Sequence, residues 1–120
     1  MTDIEFTSSE FWAGRPVARQ VAEAMHRGRI IASGKVVSQD IIRIGRTPST
    51  VCRFDDGTGE IDLLFVGQPE VARLYPGTSC TVEGTARIRN GRMEIWNPIY
   101  EVNTFDPNQK SHIEELNGTD

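Results

Sequence analysis

The most informative stretch of the sequence spans residues 54 to 65 and reads Phe54-Asp55-Asp56-Gly57-Thr58-Gly59-Glu60-Ile61-Asp62-Leu63-Leu64-Phe65. Its centre consists of residue types that form tight turns. After the turn the side chains alternate in character. Ile61, Leu63 and Phe65 share one face of a strand, and Asp62 and Leu64 share the other. The stretch therefore predicts two strands joined by a tight turn, with an apolar inner face.

Further β-patterns lie on both sides of this turn. The sequence predicts five strands, over residues 30–37, 50–54, 60–66, 79–89 and 92–102. Gly34 interrupts the first strand, which predicts a bend or bulge there. Residues 40–49 are rich in β-branched side chains and end in a turn at residues 46–49. Asn90-Gly91 is a strong hairpin signal between the last two strands.

The alternation also predicts the core. We expect the inward positions to be Ile61, Leu63, Phe65, Val82, Gly84, Ala86, Ile88, Met93 and Ile95, together with Phe54 and the two cysteines, Cys52 and Cys80. Those cysteines form no CxxC pair, and the two histidines are far from them in sequence. Buried free thiols are therefore favoured over a zinc site or a disulfide.

Two helices are predicted beside the strands. Residues 16–27 begin with Pro16, place Val17, Val21, Ala24 and Met25 at helical spacing, and end before Gly28. Residues 67–75 allow a short helix before Pro76-Gly77. The order of elements is then helix, β-β-β-α-β-β, which is typical of a five-stranded OB-fold barrel. An SH3-like barrel would give a similar pattern without the second helix.

Several segments carry a family likeness. Residues 54 to 65 resemble the hairpin between the second and third strands of OB domains of the tRNA-anticodon type. The likeness extends to the wedge domain of the bacterial helicase RecG and to small stand-alone bacterial OB-fold proteins. Further matches follow in order, at Tyr75-Pro76-Gly77, Val82-Glu83-Gly84 and Asn97-Pro98-Ile99-Tyr100-Glu101-Val102. The resemblance covers about residues 29 to 102 and implies an all-β nucleic-acid-binding barrel with minor helices.

Composition and charge bound the function. The 120 residues suit one domain, and no apolar run is long enough to span a bilayer. The acidic N-terminus lacks the layout of a signal peptide, so a cytoplasmic location is expected. The net charge is −4, but residues 29–102 contain nine basic and nine acidic residues, which leaves the excess acid in the flanks. We therefore expect an N-terminal extension with a helix (1–28), an OB-fold barrel (29–102) and a flexible acidic tail (103–120).

No catalytic or metal-ligating constellation is visible in the sequence. There is no GxxxxGK[ST] loop, so the resemblance to a helicase domain carries no helicase activity. His26 and His112 have no nucleophile or acid nearby in sequence. The acidic turn lacks the ligand spacing of an EF-hand loop. We expect a binding protein that is not an enzyme and that needs no cofactor.

The resemblance implies a ligand site on the outward face of the second and third strands, between the loops that join strands one to two and four to five. The residues that would line it are Arg43, Arg46, Arg53, Arg87, Arg89, Asn90, Arg92 and Trp96. We expect the acidic residues Asp55, Asp56, Glu60 and Asp62 to gather at the opposite hairpin. Such a separation would suit a polyanion.

The same arginines and Trp96 also fit purely structural interpretations. Arg53 and Asp62 would also make a cross-strand ion pair, and the other arginines would also suit an ordinary solvated strand. Trp96 is expected to face outward, where it either stacks on a base or packs beneath the N-terminal helix. The predicted function is binding of single-stranded DNA or RNA with little sequence specificity. The alternative is a protein-interaction module, with a protein partner or a second copy of the chain; no membrane partner is expected.

Overall fold

The computed structural model describes residues 10 to 103, so nearly all of the predicted acidic tail lies outside the described residues. Eight strands and one short 3-10 helix make up this part of the chain. In order they are β1 (Phe11–Trp12), β2 (Arg15–Pro16), the 3-10 helix Val21–Glu23, β3 (Arg29–Ile44), β4 (Thr47–Asp55), β5 (Glu60–Phe65), β6 (Ser79–Arg89), β7 (Arg92–Trp96) and β8 (Ile99–Val102).

Five strands pair in a ring. The order runs β3-β4-β5-β7-β6, and β6 pairs with β3. All of these pairs are antiparallel except β5–β7, which is parallel. The N-terminal half of β3 (residues 29–35) pairs with β6, whereas its C-terminal half (residues 35–44) pairs with β4.

Gly34 lies close to the point where β3 stops pairing with β6 and begins to pair with β4. A Cβ atom there would clash with the carbonyl oxygen of Asp55 and the Cα of Asp56, so only glycine allows the β4–β5 turn to approach this closely. The register irregularity itself falls slightly later, between Val36 and Ser38. The strand is therefore continuous through Gly34, the bulge falls two to four residues after the predicted position, and the glycine itself is required by the close approach of the β4–β5 turn.

Strand boundaries differ from expectation in two places. β3 continues to Ile44, and β4 begins at Thr47 rather than at residue 50, so a tight turn at Gly45 replaces the expected loop over residues 46–49. The predicted fifth strand divides into β7 and β8 at Asn97, whose φ is +51°. The backbone N–H of Asn97 donates to the carbonyl of Leu64, and its side-chain oxygen accepts the N–H of Val66.

Neither predicted helix is present. Residues 67–75 form turns because Gly67, Arg73 and Gly77 all have positive φ and Pro69 and Pro76 interrupt the segment. The segment still contributes Val71 and Leu74 to the core. Within residues 10–103 no helix is long and apolar enough to cross a membrane.

Residues 16–27 do not form the predicted helix: they contain only the 3-10 turn Val21–Glu23, and the backbone of Ala18 and Arg27 bonds to the six-stranded sheet. Ala18 bridges Ile30 in parallel, with its N–H donating to Arg29 and its carbonyl accepting from Ile31. These bonds use the backbone groups that a helix would need internally. Val17 and Val21 are buried as their spacing suggests, but Met25 of the same predicted face is 46% exposed.

The acidic turn after β4 anchors this N-terminal segment. One oxygen of Asp56 accepts the backbone N–H groups of Thr58 and Gly59, and the other accepts the N–H of Val21 at 2.8 Å. Burial alone would raise the pKa of Asp56, but these hydrogen bonds lower it below its usual value. Asp55 and Asp56 therefore stabilise the turn by accepting its backbone N–H groups, as the turn-forming sequence predicted.

The core fills the interior of the ring. Its buried members include Ile30, Val36, Cys52, Phe54, Ile61, Leu63, Phe65, Leu74, Cys80, Val82, Ala86 and Ile95. Ile88 was expected among them but is 50% exposed, because β6 runs past the core toward the Asn90-Gly91 turn. Cys52 and Cys80 are buried free thiols on strands that do not pair, as predicted.

Candidate functional site

One row of charged residues crosses the outside of four strands. The register places Arg53 of β4 beside Asp62 of β5, Asp62 beside Glu94 of β7, and Glu94 beside Arg87 of β6. Arg89 and Arg92 face each other one step farther along the β6–β7 hairpin. The structure thus brings four predicted site arginines onto one face, which we call the arginine face (Arg53, Arg87, Arg89 and Arg92).

Ion pairs hold three of these arginines. Arg92 donates from Nε to Asp62 Oδ2 at 2.9 Å and from Nη2 to Oδ1 at 3.1 Å. Arg53 Nε lies 3.2 Å from Asp62 Oδ1, which is the cross-strand pair that the sequence allowed. Arg89 Nε lies 2.7 Å from Glu94 Oε1.

The expected separation of acids from arginines is therefore wrong. Asp62 lies between Arg53 and Arg92, and Glu60 lies 3.8 Å from Arg53. The β4–β5 hairpin places Arg53 beside Asp62, and the parallel β5–β7 pairing brings Arg92 to Asp62 from about thirty positions farther along the chain. A pattern read along single strands contains no information about that pairing.

The acids and the arginines occupy different depths. Asp62 and Glu94 are only 8% and 3% exposed, whereas the side chains of Arg53, Arg89 and Arg92 are 38% to 51% exposed. A guanidinium has five N–H donors, and each of these pairs uses only one or two of them. The outermost layer of this face is therefore made of guanidinium groups that keep free donors.

Asp62 is ionised by its neighbours. Burial alone would raise the pKa of its carboxyl group, but hydrogen bonds from Arg92 and Arg53 and the charges of both arginines lower the pKa below its usual range. The carboxylate therefore stays charged and fixes both guanidinium groups in position.

The other predicted arginines lie elsewhere. Arg43 pairs with Pro48, which is five residues along β4 from Arg53, or about 16 Å at the rise of a β-strand. Arg43 Nη1 donates to the carbonyl of Arg46 at 3.2 Å, so the two residues form the tip of the β3–β4 hairpin. Asn90 occupies a left-handed position with φ of +54°, and so serves the turn that joins β6 to β7.

Trp96 lies at the edge of the arginine face. Its indole N–H donates to Glu94 Oε1 at 2.6 Å, and the guanidinium carbons of Arg87 and Arg89 lie 5.0 and 5.9 Å from the ring centroid. The ring faces outward, as predicted. The N-terminal segment does lie beside Trp96, but as the β1–β2 hairpin and a turn at Arg27 rather than as the predicted helix.

A second tryptophan, which sequence reasoning missed, shares a groove with Trp96. The groove has a volume of about 470 Å³ and is lined by Trp12, Arg27, Thr85, Arg87 and Trp96. Trp12 belongs to the β1–β2 hairpin, where Ala13 and Gly14 form the turn with φ of +54° and +78°. That hairpin has strands of two residues, too short to produce an alternating pattern. The one available signal was that the chain has only two tryptophans.

Comparison with solved structures identifies the fold as that of OB domains. The OB domain of Ta0387 from Thermoplasma acidophilum matches with a TM-score of 0.55 and 12% identity, over 75% of this chain and 90% of that one. The replication factor A related protein from Methanobacterium thermoautotrophicum matches with a TM-score of 0.55 and 14% identity, over 82% and 96%. A chain of a replication protein A heterotrimer bound to single-stranded DNA matches with a TM-score of 0.50 and 20% identity, over 74% and 66%.

These likenesses concern the fold alone. The chain spans about half the length (47%) of the p204 HINb domain chain that it also matches. No protein-family model matches the chain, and no curated protein matches its sequence.

Proposed function

We propose that this chain binds single-stranded nucleic acid, DNA or RNA, with little sequence specificity and without catalysis. The observation that carries the proposal is the arginine face, on which buried carboxylates hold exposed guanidinium groups in a row across four strands. Arginine pairs with phosphate through two parallel hydrogen bonds, and an arginine already fixed by a carboxylate loses little side-chain entropy when it does so.

The charge balance limits the strength of this binding. The arginine face carries four positive charges, against three negative charges on Glu60, Asp62 and Glu94. Long-range attraction is therefore weak, and contacts form only where a phosphate reaches the outer guanidinium layer. Such contacts recognise the backbone and carry no sequence information.

The known proteins support the same class of ligand. One structural neighbour is a replication protein A heterotrimer bound to single-stranded DNA, and a second is a replication factor A related protein. The resemblance of residues 54–65 to OB domains of the tRNA-anticodon type and to the RecG wedge domain points the same way. These likenesses favour a nucleic-acid ligand; that the protein is cytoplasmic and bacterial stays a prediction.

Fluorescence anisotropy tests the proposal. Labelled single-stranded DNA and RNA of about 16 nucleotides, the upper end of the site size of one OB fold, are titrated with the full chain at low salt and at about 0.15 M. We expect dissociation constants of tens of micromolar or tighter at low salt, and weaker binding as salt rises. If neither strand binds at tens of micromolar at low salt, the proposal is wrong.

A protein partner is the second candidate, and one observation favours it. Phe11, Trp12 and Met25 are large apolar side chains left exposed on the N-terminal segment. In that case the barrel would dock a partner chain or a second copy through this segment and Trp96. Failure of both oligonucleotides to bind would make this the better account.

A further inference from the structure

We infer that the groove between Trp12 and Trp96 is a stacking site for one unpaired nucleobase, with Arg27 and Arg87 contacting its flanking phosphates. The inference rests on the proposed function, and it adds a site formed by the N-terminal segment. Four of the five groove residues, all except Thr85, are aromatic or cationic.

Aromatic surface forms two walls of the groove. Trp12 comes from the β1–β2 hairpin and is 43% exposed, and Trp96 comes from β7 and is partly exposed. Both residues line the same space of about 470 Å³, which is enough for a planar base. Every base has a π-face, so aromatic side chains can stack on a base of any type.

Each tryptophan is fixed in place by its neighbours. The Trp96 indole N–H is bonded to the buried carboxylate of Glu94. The guanidinium carbon of Arg29 lies 5.9 Å from the Trp12 ring centroid, and Arg29 is itself bonded to Glu83 at 3.0 Å. The Trp96 side chain therefore does not have to be ordered when a ligand enters, which lowers the entropic cost of binding.

The charge of the groove is complementary to a nucleotide. The neighbouring acids Glu83 and Glu94 are each in an ion pair, with Arg29 and Arg89. Arg27 and Arg87 are in no ion pair within residues 10–103. An apolar peptide would desolvate these two cations without neutralising them, whereas a nucleotide brings both a stacking surface and a phosphate.

The backbone of Arg27 supports a binding role. Its φ is +65°, a region that residues other than glycine rarely occupy. Its N–H donates to the carbonyl of Ala86 at 2.7 Å, and the N–H of Ala86 donates to the carbonyl of Gly28. These two bonds to β6 fix the backbone of Arg27 at the edge of the groove, on the strand that carries Arg87.

The chain has only two tryptophans, so tryptophan emission reports on the groove and, through Trp96, on the adjoining edge of the arginine face. The full chain is titrated with unlabelled oligo(dT) of about 16 nucleotides and with an abasic strand that has the same number of phosphates. We expect oligo(dT) to quench the emission and the abasic strand to leave it unchanged. The abasic strand should also bind about 5-fold or more weakly, since stacking contributes about 1–3 kcal/mol per base.

Variants with a single tryptophan show whether Trp12, Trp96 or both are quenched by the ligand. In Trp12→Phe the tryptophan emission comes from Trp96, and in Trp96→Phe it comes from Trp12. Oligo(dT) should still quench the emission of both variants, because phenylalanine still stacks on a base. Trp12→Ala and Trp96→Ala should each weaken oligo(dT) binding by about 5- to 100-fold. Trp12→Ala should leave binding of the abasic strand nearly unchanged, whereas Trp96→Ala should also weaken it somewhat, because Trp96 contacts Glu94 and, on the arginine face, Arg87 and Arg89. Tyr75→Ala is the matched control, because Tyr75 is an exposed aromatic residue outside the groove.

The outcomes separate this inference from the proposed function. Oligo(dT) that binds without quenching either tryptophan, or an abasic strand that binds as tightly as oligo(dT), would overturn the stacking site and leave the arginine face as the ligand surface. Absence of any binding by anisotropy would overturn both.

Discussion

The two faces of β5 are both shielded from solvent, but by different means. On the inner face, Ile61, Leu63 and Phe65 pack into the apolar core. On the outer face, Asp62 is 8% exposed because two arginine side chains cover it, and Leu64 beside it is 1% exposed. The inner face is buried by non-directional apolar contact, whereas burial of Asp62 depends on specific ion pairs from β4 and β7.

This difference decides which face can tolerate change. Loss of apolar volume in a packed interior leaves a cavity, and the cost is large whatever the ligand state. Loss of a charge on the outer face leaves partners that can reach water, so the cost is smaller and depends on pH and salt. The following predictions test this contrast, from the largest expected effect to the smallest.

The largest effect is expected from Phe65→Ala on the inner face. Phe65 is 2% exposed, and its ring packs edge-to-face on Tyr100 with centroids 5.6 Å apart. Removal of a buried phenyl group should lower the free energy of unfolding by about 3–5 kcal/mol. Denaturant unfolding measures it, and a loss below about 1 kcal/mol would contradict the placement of Phe65 in the core.

A smaller, pH-dependent effect is expected from Asp62→Asn on the outer face. The folded-state pKa of Asp62 lies below its ordinary value of 3.8, so the ionised carboxylate stabilises the fold above that value. That contribution is lost as the pH falls through the lower, folded-state pKa. The variant should therefore be about 1–3 kcal/mol less stable at pH 7, and the difference should shrink below about pH 4.

Asp40→Asn is the control for this measurement, since Asp40 is exposed on β3 and has the same change of charge. It should alter stability by less than about 0.5 kcal/mol. An Asp62→Asn difference that is constant between pH 3 and pH 7 would show that the ion pairs do not contribute to stability.

Binding should respond to the outer face of β5 and not to its inner face. Each phosphate contact made to a single strand contributes about −0.7 to the slope of log affinity against log salt, so four arginine contacts predict a slope near −3. Replacement of Arg89 and Arg92 together by Ala should weaken binding evenly across sequences and reduce the slope by about 1.4. Anisotropy titrations over a range of salt measure both quantities, and a double variant that binds like the parent would remove these residues from the site.

The smallest effect is expected at the tip of the β3–β4 hairpin. Arg43 and Arg46 were predicted to line the same groove as Arg89 and Arg92, but they lie about 16 Å from Arg53 along β4. Replacement of both by Ala should reduce affinity for a strand of about 6 nucleotides less than it reduces affinity for one of about 16, because only the longer strand reaches the tip. Equal losses for both lengths would place the tip inside the main contact surface.

Alternation along single strands was enough to predict the inner face. Ile61, Leu63, Phe65 and Val82 are buried as expected, because period-2 patterning directly reflects which face meets the core. Ile88 follows the same pattern but is exposed, since the pattern does not indicate where the core ends. The fourth strand was predicted with its observed bounds, residues 79–89.

The outer face could not be predicted in the same way. Its contacts join Arg92 to Asp62 across a parallel pairing, and Trp12 to the groove through a hairpin far away in the chain. Apolar spacing at Val17 and Val21 indicated burial, but the choice between helix and strand depended on Ala18 finding backbone partners on β3. At these positions, contacts between segments far apart in the chain decided the structure, and the local sequence pattern did not contain them.

The two buried thiols have a practical consequence. Burial raises the pKa of Cys52 to about 11 and that of Cys80 to about 12, so neither is nucleophilic near neutral pH in the folded chain. A cysteine introduced at an exposed position such as Glu70 would then be the one rapidly reacting thiol among residues 10–103. Maleimide dyes could be attached there without removing either native cysteine, which leaves the interior of the ring intact for distance measurements.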